Sequence, residues 1–354
     1  MSYSEPAILG IATSVPKTRY TQDEILEKYL RLAKITDRRQ RAVRTVFGLA
    51  GVDHRYSVVS DQFYATEQTT MSRNEEYMAA ALPLGERAIC QALDSSGYSP
   101  ADIDDFTVVS CTGFSIPGLD LLLAGRLGMR ADLRRTCILG MGCYGAFPGL
   151  QRVRDAASGS ARLGLVLTLE LCSLHMQFDG STESAISSAL FSDGAAAAIV
   201  GTPKSRTNRR QPYLVDSATR CEYNTLEHMS FTVTDHGFRM YLSSYVPDLL
   251  AGQVESFADD LLHRNNLTRQ NVRFWGIHPG SSKILDFIQT RLGLDHNALD
   301  YSRDVLREYG NMSSATMLFV LDRIQECGNP QPGDYGVLMA FGPGLTMEAI
   351  LIRW

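Results

Sequence analysis

The sequence predicts an α/β fold. Apolar stretches that suit strands alternate with amphipathic stretches that suit helices along the whole chain. Two apolar runs, LGLVLTLELCS (163–173) and AAAAIVG (195–201), are nearly continuous, which is typical of strands buried on both faces of a sheet. Capping-box patterns between such runs mark the starts of helices.

In the first half, Thr21–Glu24 is a capping box that opens a helix through residue 33. Ser72–Glu75 is a second capping box, ahead of a long helix that reaches residue 97, and Pro83 is expected to kink it. The strands expected before residue 150 are AILGIATSVP (7–16), DDFTVVSCTGF (104–114) and RTCILGMGC (135–143).

The pattern of strands and helices restarts after the polar stretch GTPKSRTNRRQ (201–211), which predicts two domains, 1–204 and 205–354. Both halves end on a glycine followed by an apolar strand, which suggests two copies of one layered unit. The elements expected in the second half are strands at 213–223, 236–244 and 271–280, helices at 246–265, 282–293 and 314–328, and two strands within 335–354.

The composition indicates an ordinary globular protein. The 354 residues are 44% apolar and carry a net charge of −5, which argues against a nucleic-acid partner. The seven cysteines are scattered and form no CxxC pair, so neither a disulfide framework nor a zinc site is expected. With no signal peptide and no membrane span expected, a cytoplasmic location is predicted.

Three polar residues stand beside glycines, at turns between regular elements. Cys143 lies in GMGCYG, His278 ends the strand-like run WGIHPG, and Asn311 precedes a helix in YGNMSS. Taken singly, Cys143 could be a buried structural thiol, His278 a core histidine, and Asn311 a helix cap or turn residue. Together they suit nucleophilic thiol chemistry. An adjacent imidazole and a helix N-terminus would lower the pKa of the thiol, although Pro148 could delay or kink that helix.

Five motifs in order give the chain a resemblance to the type III polyketide synthases, the chalcone-synthase-like branch of the thiolase fold. The motifs are SCTGFSIPGLDLLLAGRLGM with GMGCYG, ALFSDGAAAAIV, WGIHPG, YGNMSSATMLFVLD and FGPGLTMEAIL. The resemblance implies a layered αβαβα core made of two similar halves. It also implies that Cys143 accepts the acyl group from a CoA thioester, while His278 and Asn311 bind malonyl-CoA and promote its decarboxylation. No metal and no further cofactor are expected.

The resemblance assigns further roles. Phe191 would be the gate between the CoA tunnel and a cavity, and Ile116 would cross a homodimer interface to close the partner's cavity. The other residues that it implies are Cys111, Thr112, Cys172 and His175 in the cavity wall, and Arg41, Arg44, Gly280 and Ser281 at the CoA site. Ser192 and Ser281 depart from the commoner FGDG and HPGG sequences of the family.

The expected reaction extends a fatty acyl-CoA starter with malonyl-CoA and closes the product to a pyrone or a resorcinol. One alternative is an initiating-type β-ketoacyl-ACP synthase, which makes a single condensation and needs a carrier protein. The other is a non-catalytic binding module of the same fold, against which the joint presence of Cys143, His278, Asn311 and Phe191 argues.

Overall fold

The computed structural model describes residues 5–158, 162–203, 211–243 and 246–354. The predicted domain boundary at 204/205 therefore lies outside the described residues. The strands are β1 (Ala7–Ser14), β2 (Thr18–Thr21), β3 (His54–Ser57), β4 (Asp105–Val109), β5 (Arg134–Ile138), β6 (Gly164–Leu171), β7 (Asp193–Gly201), β8 (Tyr213–Cys221), β9 (Met229–Thr234), β10 (Gly237–Leu242), β11 (Val272–Ile277), β12 (Tyr335–Gly342) and β13 (Thr346–Arg353). The helices are α1 (Gln22–Leu32), α2 (Asp37–Leu49), α3 (Asp61–Tyr64), α4 (Thr70–Ser96), α5 (Leu119–Leu127), α6 (Ala146–Ala157), α7 (Thr182–Leu190), α8 (Val246–Ala251), α9 (Val254–His263), α10 (Ser282–Leu292), α11 (Asp300–Tyr309) and α12 (Thr316–Cys327).

The two halves of the chain repeat one strand arrangement. The large sheet has the order β11-β12-β13-β8-β1-β7-β6-β4-β5. In the first half β1 pairs antiparallel with β7, β7 antiparallel with β6, and β6 parallel with β4. In the second half β8, β13, β12 and β11 repeat the same order and the same directions. The duplication suggested by the two glycine-led apolar strands is therefore real, because those strands, β7 and β13, occupy equivalent places.

The helices form layers on the faces of the sheet that the strands bury. Helices α6 and α12 share one apolar cluster with strands of both halves, so they form a central layer. Helices α4 and α5 cover the outer face of the first half, and α8, α9 and α10 cover that of the second. Strands β6 and β7 are buried along their whole length, as continuous apolar runs predict. The result is the expected αβαβα thiolase-like core.

Local signals predicted most elements, with two corrections. The Thr21 capping box is present, but the cap of α4 is Thr69, whose hydroxyl accepts a hydrogen bond from the N–H of Ser72 at 3.1 Å. Helix α4 continues through Pro83. The single helix expected over 246–265 is two helices, α8 and α9, which a turn at Gly252 separates. Within the described ranges, no helix is both long and apolar enough to cross a membrane.

Candidate active site

Cys143 lies in a 3-10 turn, Gly142–Tyr144, between the edge strand β5 and the central helix α6. Gly142 has a φ of +69°, and a Cβ there would lie 2.9 Å from Cδ of Pro343, so the turn requires glycine. Pro148 is the third residue of α6, where its missing N–H costs no helical hydrogen bond. The helix therefore starts directly behind the thiol.

His278 directly follows β11. Its N–H donates to the carbonyl of Met339 on β12 at 2.8 Å, which continues the parallel pairing up to the histidine. The side chain is 2% exposed, and neither ring nitrogen has a hydrogen-bond partner among the described residues. Buried polar atoms are nearly always paired, so both nitrogens are available for a bound substrate.

Asn311 is held from both sides. Its N–H donates to the carbonyl of Leu190 at 2.9 Å, and its carbonyl accepts from the N–H of Ser192 at 2.9 Å. The side-chain Oδ1 accepts from the N–H of Ser313 at 2.8 Å, which turns the amide nitrogen toward the carbonyl of Gly280 at 3.5 Å. Asn311 is thus an anchored turn residue rather than the cap of α12, which starts five residues later.

Burial dominates the electrostatics of this site. It raises the pKa of the Cys143 thiol to about 12, although hydrogen bonds from Ser313 and Asn311 act in the opposite direction. Burial also lowers the pKa of His278 to about 3. The expectation that the imidazole and the helix N-terminus lower the pKa of the thiol is therefore wrong for the resting site. Because isolated buried charges are costly, the neutral thiol and the neutral imidazole are the favoured forms in the resting site.

Cys143, His278 and Asn311 line one cavity, called here the thiol cavity. A neighbouring space, the inner cavity, is lined by Cys111, Thr112, Cys172 and His175 among others. The two cavities share three wall residues, Phe191, Phe231 and Met240. Phe231 and Met240 face each other across the β9–β10 hairpin, while Phe191 follows the last residue of α7. Phe191 therefore lies between the cavities, where a gate is expected.

A buried carboxylate that the sequence analysis missed organises the inner cavity. Glu170, on β6, accepts hydrogen bonds from the N–H of Cys111 at 3.0 Å and from the hydroxyls of Thr112 at 2.8 Å and Ser314 at 2.5 Å. Burial raises its pKa. Its signal in the sequence is a lone glutamate inside the apolar run LGLVLTLEL, where an unpaired charge would be unfavourable.

His175 supports the cavity wall and stays neutral. Its Nδ1 accepts from the N–H of Phe238 at 3.1 Å, so Nε2 carries the proton that binds the carbonyl of Thr112 at 2.7 Å. The ring stacks on Phe238 with centroids 4.2 Å apart, and burial lowers the pKa of His175 to about 4. This residue ties the hairpin to the loop after β4.

The other predicted residues lie around the site rather than in it. Gly280 lines the thiol cavity, but Ser281 caps α10, and its hydroxyl accepts from the N–H of Ile284 at 3.3 Å. Arg41 and Arg44 are exposed on α2, and Arg44 pairs with Glu27 at 2.8 Å.

Ile116 is 95% exposed, on the loop after β4. The described residues contain no group of three His, Cys, Asp or Glu side chains that could hold a metal ion.

The fold and this arrangement of thiol, imidazole and amide define a thiolase-like condensing enzyme, and comparisons with known proteins agree. Residues 2–204 match the family described as Chalcone and stilbene synthases, N-terminal domain, and residues 214–354 match its C-terminal domain. The 1,3,6,8-tetrahydroxynaphthalene synthase of Streptomyces peucetius subsp. caesius is 34% identical over 98% of this chain and 93% of its own. The 3,5-dihydroxyphenylacetyl-CoA synthase of Amycolatopsis balhimycina is 31% identical over 98% and 92%.

Among solved structures, PKS-I from the brown alga Ectocarpus siliculosus superposes with a TM-score of 0.94 at 30% identity, covering 100% of this chain and 99% of that one. The chain belongs to the chalcone and stilbene synthase family and is a type III polyketide synthase of the bacterial kind. It is therefore an acyltransferase that catalyses decarboxylative condensation, not an initiating-type β-ketoacyl-ACP synthase or a non-catalytic module.

Proposed function

We propose that the chain loads a fatty acyl group from its CoA thioester onto Cys143 and extends it with malonyl-CoA. The observation that carries the assignment of residues is the thiol cavity, where Cys143, Asn311 and a buried imidazole with two unpartnered ring nitrogens meet. Hydrogen bonds from buried, preorganised groups such as these to a developing negative charge are stronger than the same bonds in water.

Loading begins with a proton transfer. The Cys143 thiol gives its proton to His278, and the thiolate attacks the thioester carbonyl of the starter. The bond from the carbonyl carbon to the CoA sulfur then breaks, and the imidazolium returns the proton to the departing CoA thiolate. The products are free CoA and an acyl group held on Cys143 as a thioester.

Extension needs an enolate and no nearby acid to quench it. His278, through a ring N–H, and the amide of Asn311 donate to the thioester oxygen of malonyl-CoA while its carboxylate leaves as carbon dioxide. The enolate carbon attacks the acyl thioester, the bond to the Cys143 sulfur breaks to leave the Cys143 thiolate, and the lengthened chain is a new CoA thioester. The thiolate then attacks this thioester, and CoA departs and takes a proton from solvent, so the chain is again held on Cys143. Repeated cycles are followed by ring closure to a pyrone or resorcinol.

The inner cavity supports an alkyl starter. Its wall includes the small or apolar side chains of Cys172, Met176 and Phe238 as well as polar ones such as Gln177, and Arg239 pairs with Asp179 at 2.8 Å. An alkyl chain in such a space leaves no polar group of the ligand unpaired.

The relatives favour a second candidate, an aromatic product built from malonyl units alone. The name of the Streptomyces relative describes a ten-carbon skeleton with oxygens on alternate carbons, which five two-carbon units can supply. The test is mass spectrometry of products from malonyl-CoA alone and with each of a panel of acyl-CoA starters. Starter-dependent pyrones or resorcinols support the first candidate, whereas the same aromatic product in every reaction replaces it with the second.

We also propose that the chain works as a homodimer. Strand β5 forms the edge of the large sheet, and beside it lie exposed apolar side chains of the loops and helix that follow β4 and β5. These are Phe114 (57% exposed), Ile116 (95%), Leu121 (44%) and Leu139 (52%). An exposed edge next to an apolar patch suits a second copy of the chain.

For CoA, the proposed phosphate contacts are Arg41 and Arg44. Their helix, α2, reaches the start of α10 at the rim of the thiol cavity, where the hydroxyl of Ser282 donates to the carbonyl of Leu49 at 2.7 Å. Gly280 and Ser281 would then pass beside the pantetheine arm.

A further inference from the structure

Arg55 belongs by sequence to the basic stretch around α2, but its side chain turns into the protein. It is 2% exposed on β3, and its guanidinium donates to the carbonyls of Ser188, Ala189 (2.8 Å) and Phe191 (3.3 Å) and to the side-chain oxygen of Gln22. Burial lowers the pKa of Arg55, and no carboxylate among the described residues offsets the charge of its guanidinium. A buried cation held by neutral oxygens alone is unusual, because burying a charge without a counter-charge is costly.

The three carbonyls that Arg55 binds lie at the C-terminal end of α7. The last carbonyls of a helix have no intrahelical partner and carry a partial negative charge, so a cation there is favourable. Gln22 also binds the end of α7: its amide nitrogen donates to the carbonyl of Ala189 at 3.1 Å, and to that of Phe47 at 3.1 Å. Arg55 and Gln22 together fix the end of α7 against the start of α1.

The anchored segment is the one that places the gate and the candidate oxyanion donor. Arg55 holds carbonyls on both sides of Leu190, and the carbonyl of Leu190 itself accepts from the N–H of Asn311 at 2.9 Å. Phe191 forms a parallel bridge with Asn311, and the N–H of Ser192 donates to the Asn311 carbonyl. A shift of the end of α7 would therefore move the Asn311 amide and the Phe191 ring together, but not Cys143, which lies on the turn before α6.

We propose that Arg55 is a positioning residue for decarboxylation. By anchoring the end of α7, it fixes the position of the Asn311 amide in the thiol cavity and the orientation of the Phe191 ring. The inference rests on the proposed roles of Cys143 and Asn311. It assigns to Arg55 an effect on the malonyl step and not on acyl loading.

The test compares two partial reactions in Arg55→Met and Arg55→Lys. Acyl loading is followed as the mass increment on Cys143, and decarboxylation as carbon dioxide released from malonyl-CoA, both per mole of Cys143 that iodoacetamide can label. In Arg55→Met we expect loading within about twofold of the parent and decarboxylation reduced roughly 10- to 100-fold, because a displacement of about 1 Å can cost this much. Arg55→Lys, which keeps the charge but not the fork of donors, should recover part of the loss.

Arg269→Met is the control for an arginine that holds a different helix end. Arg269 binds the last carbonyl of α10, that of Leu292, at 2.9 Å, about 15 Å along the helix from the site, and it also pairs with Asp259 at 2.7 Å. It should change neither partial reaction per labelled thiol. A merely structural role for Arg55 would lower both reactions equally, or neither once the folded fraction is counted, and either outcome overturns the inference.

Two further variants keep the result interpretable. Gln22→Leu weakens the same anchor while keeping Arg55, which loses one acceptor but still binds the three carbonyls. If Arg55→Met fails to fold, Gln22→Leu must therefore show the selective loss of decarboxylation or the inference is wrong. Asn311→Ala is run in parallel. If it retains decarboxylation, the proposed function fails, whereas a loss in Asn311→Ala without one in Arg55→Met refutes the role of Arg55 alone.

Discussion

The ionisation of Cys143 should depend on His278. Burial gives the Cys143 thiol a pKa of about 12, so loss of its proton to solvent at pH 7 would leave only about one thiol in 10⁵ ionised. A proton that passes to the imidazole instead leaves the net charge of the pair unchanged, so a thiolate population formed in this way should vary little between about pH 6 and 9. In His278→Ala that route is gone, and the labelling rate of Cys143 at pH 7 should fall by roughly 10²- to 10⁴-fold, the usual effect of losing a general base.

The measurement is the rate of iodoacetamide labelling of Cys143 from pH 6 to 10, read by mass spectrometry of the peptide that contains it. We expect a nearly flat profile for the parent and a tenfold rise per pH unit for His278→Ala, because only the thiolate reacts. His278→Gln, which keeps a polar side chain but has no basic nitrogen, is the control and should follow the alanine variant. Equal rates at pH 7 for parent and His278→Ala would refute the proton transfer.

Three further outcomes are expected. Cys143→Ala should show no acyl mass increment with acyl-CoA, since no other cysteine lines the thiol cavity among the described residues; an increment on intact protein would contradict this. Asn311→Ala should load normally but decarboxylate malonyl-CoA roughly 100-fold more slowly, as for a lost oxyanion donor, and equal losses in both steps would argue against that division. Ile116→Phe should shorten the accepted starter or the product without slowing loading of Cys143, and sedimentation should give the mass of a dimer; a monomer or an unchanged product profile would contradict the interface.

Much of the fold, and the residues Cys143, His278 and Asn311, could be predicted from the sequence, because strands, turns and residue types depend on neighbouring residues in the chain. Short continuous apolar runs are typical of strands covered on both faces, and β6 and β7 are such strands. The backbone of the turn that presents Cys143 requires a glycine at Gly142, so this turn can be recognised from the sequence alone. The start of α4 was predicted wrongly: the capping box at Ser72 is not the cap, and Thr69, one turn earlier, caps the helix.

Properties that depend on burial and on partners far away in the chain follow from the tertiary fold alone. Arg55 belongs by sequence to a basic stretch, yet it binds carbonyls more than 130 positions away. Glu170 is a lone acid in a strand until the chain brings Cys111, Thr112 and Ser314 around it. The raised pKa of Cys143 follows from desolvation, which no pattern of neighbours reveals. Residue types and turns are local properties, whereas the depth at which a group lies and what surrounds it are set by how the layers close.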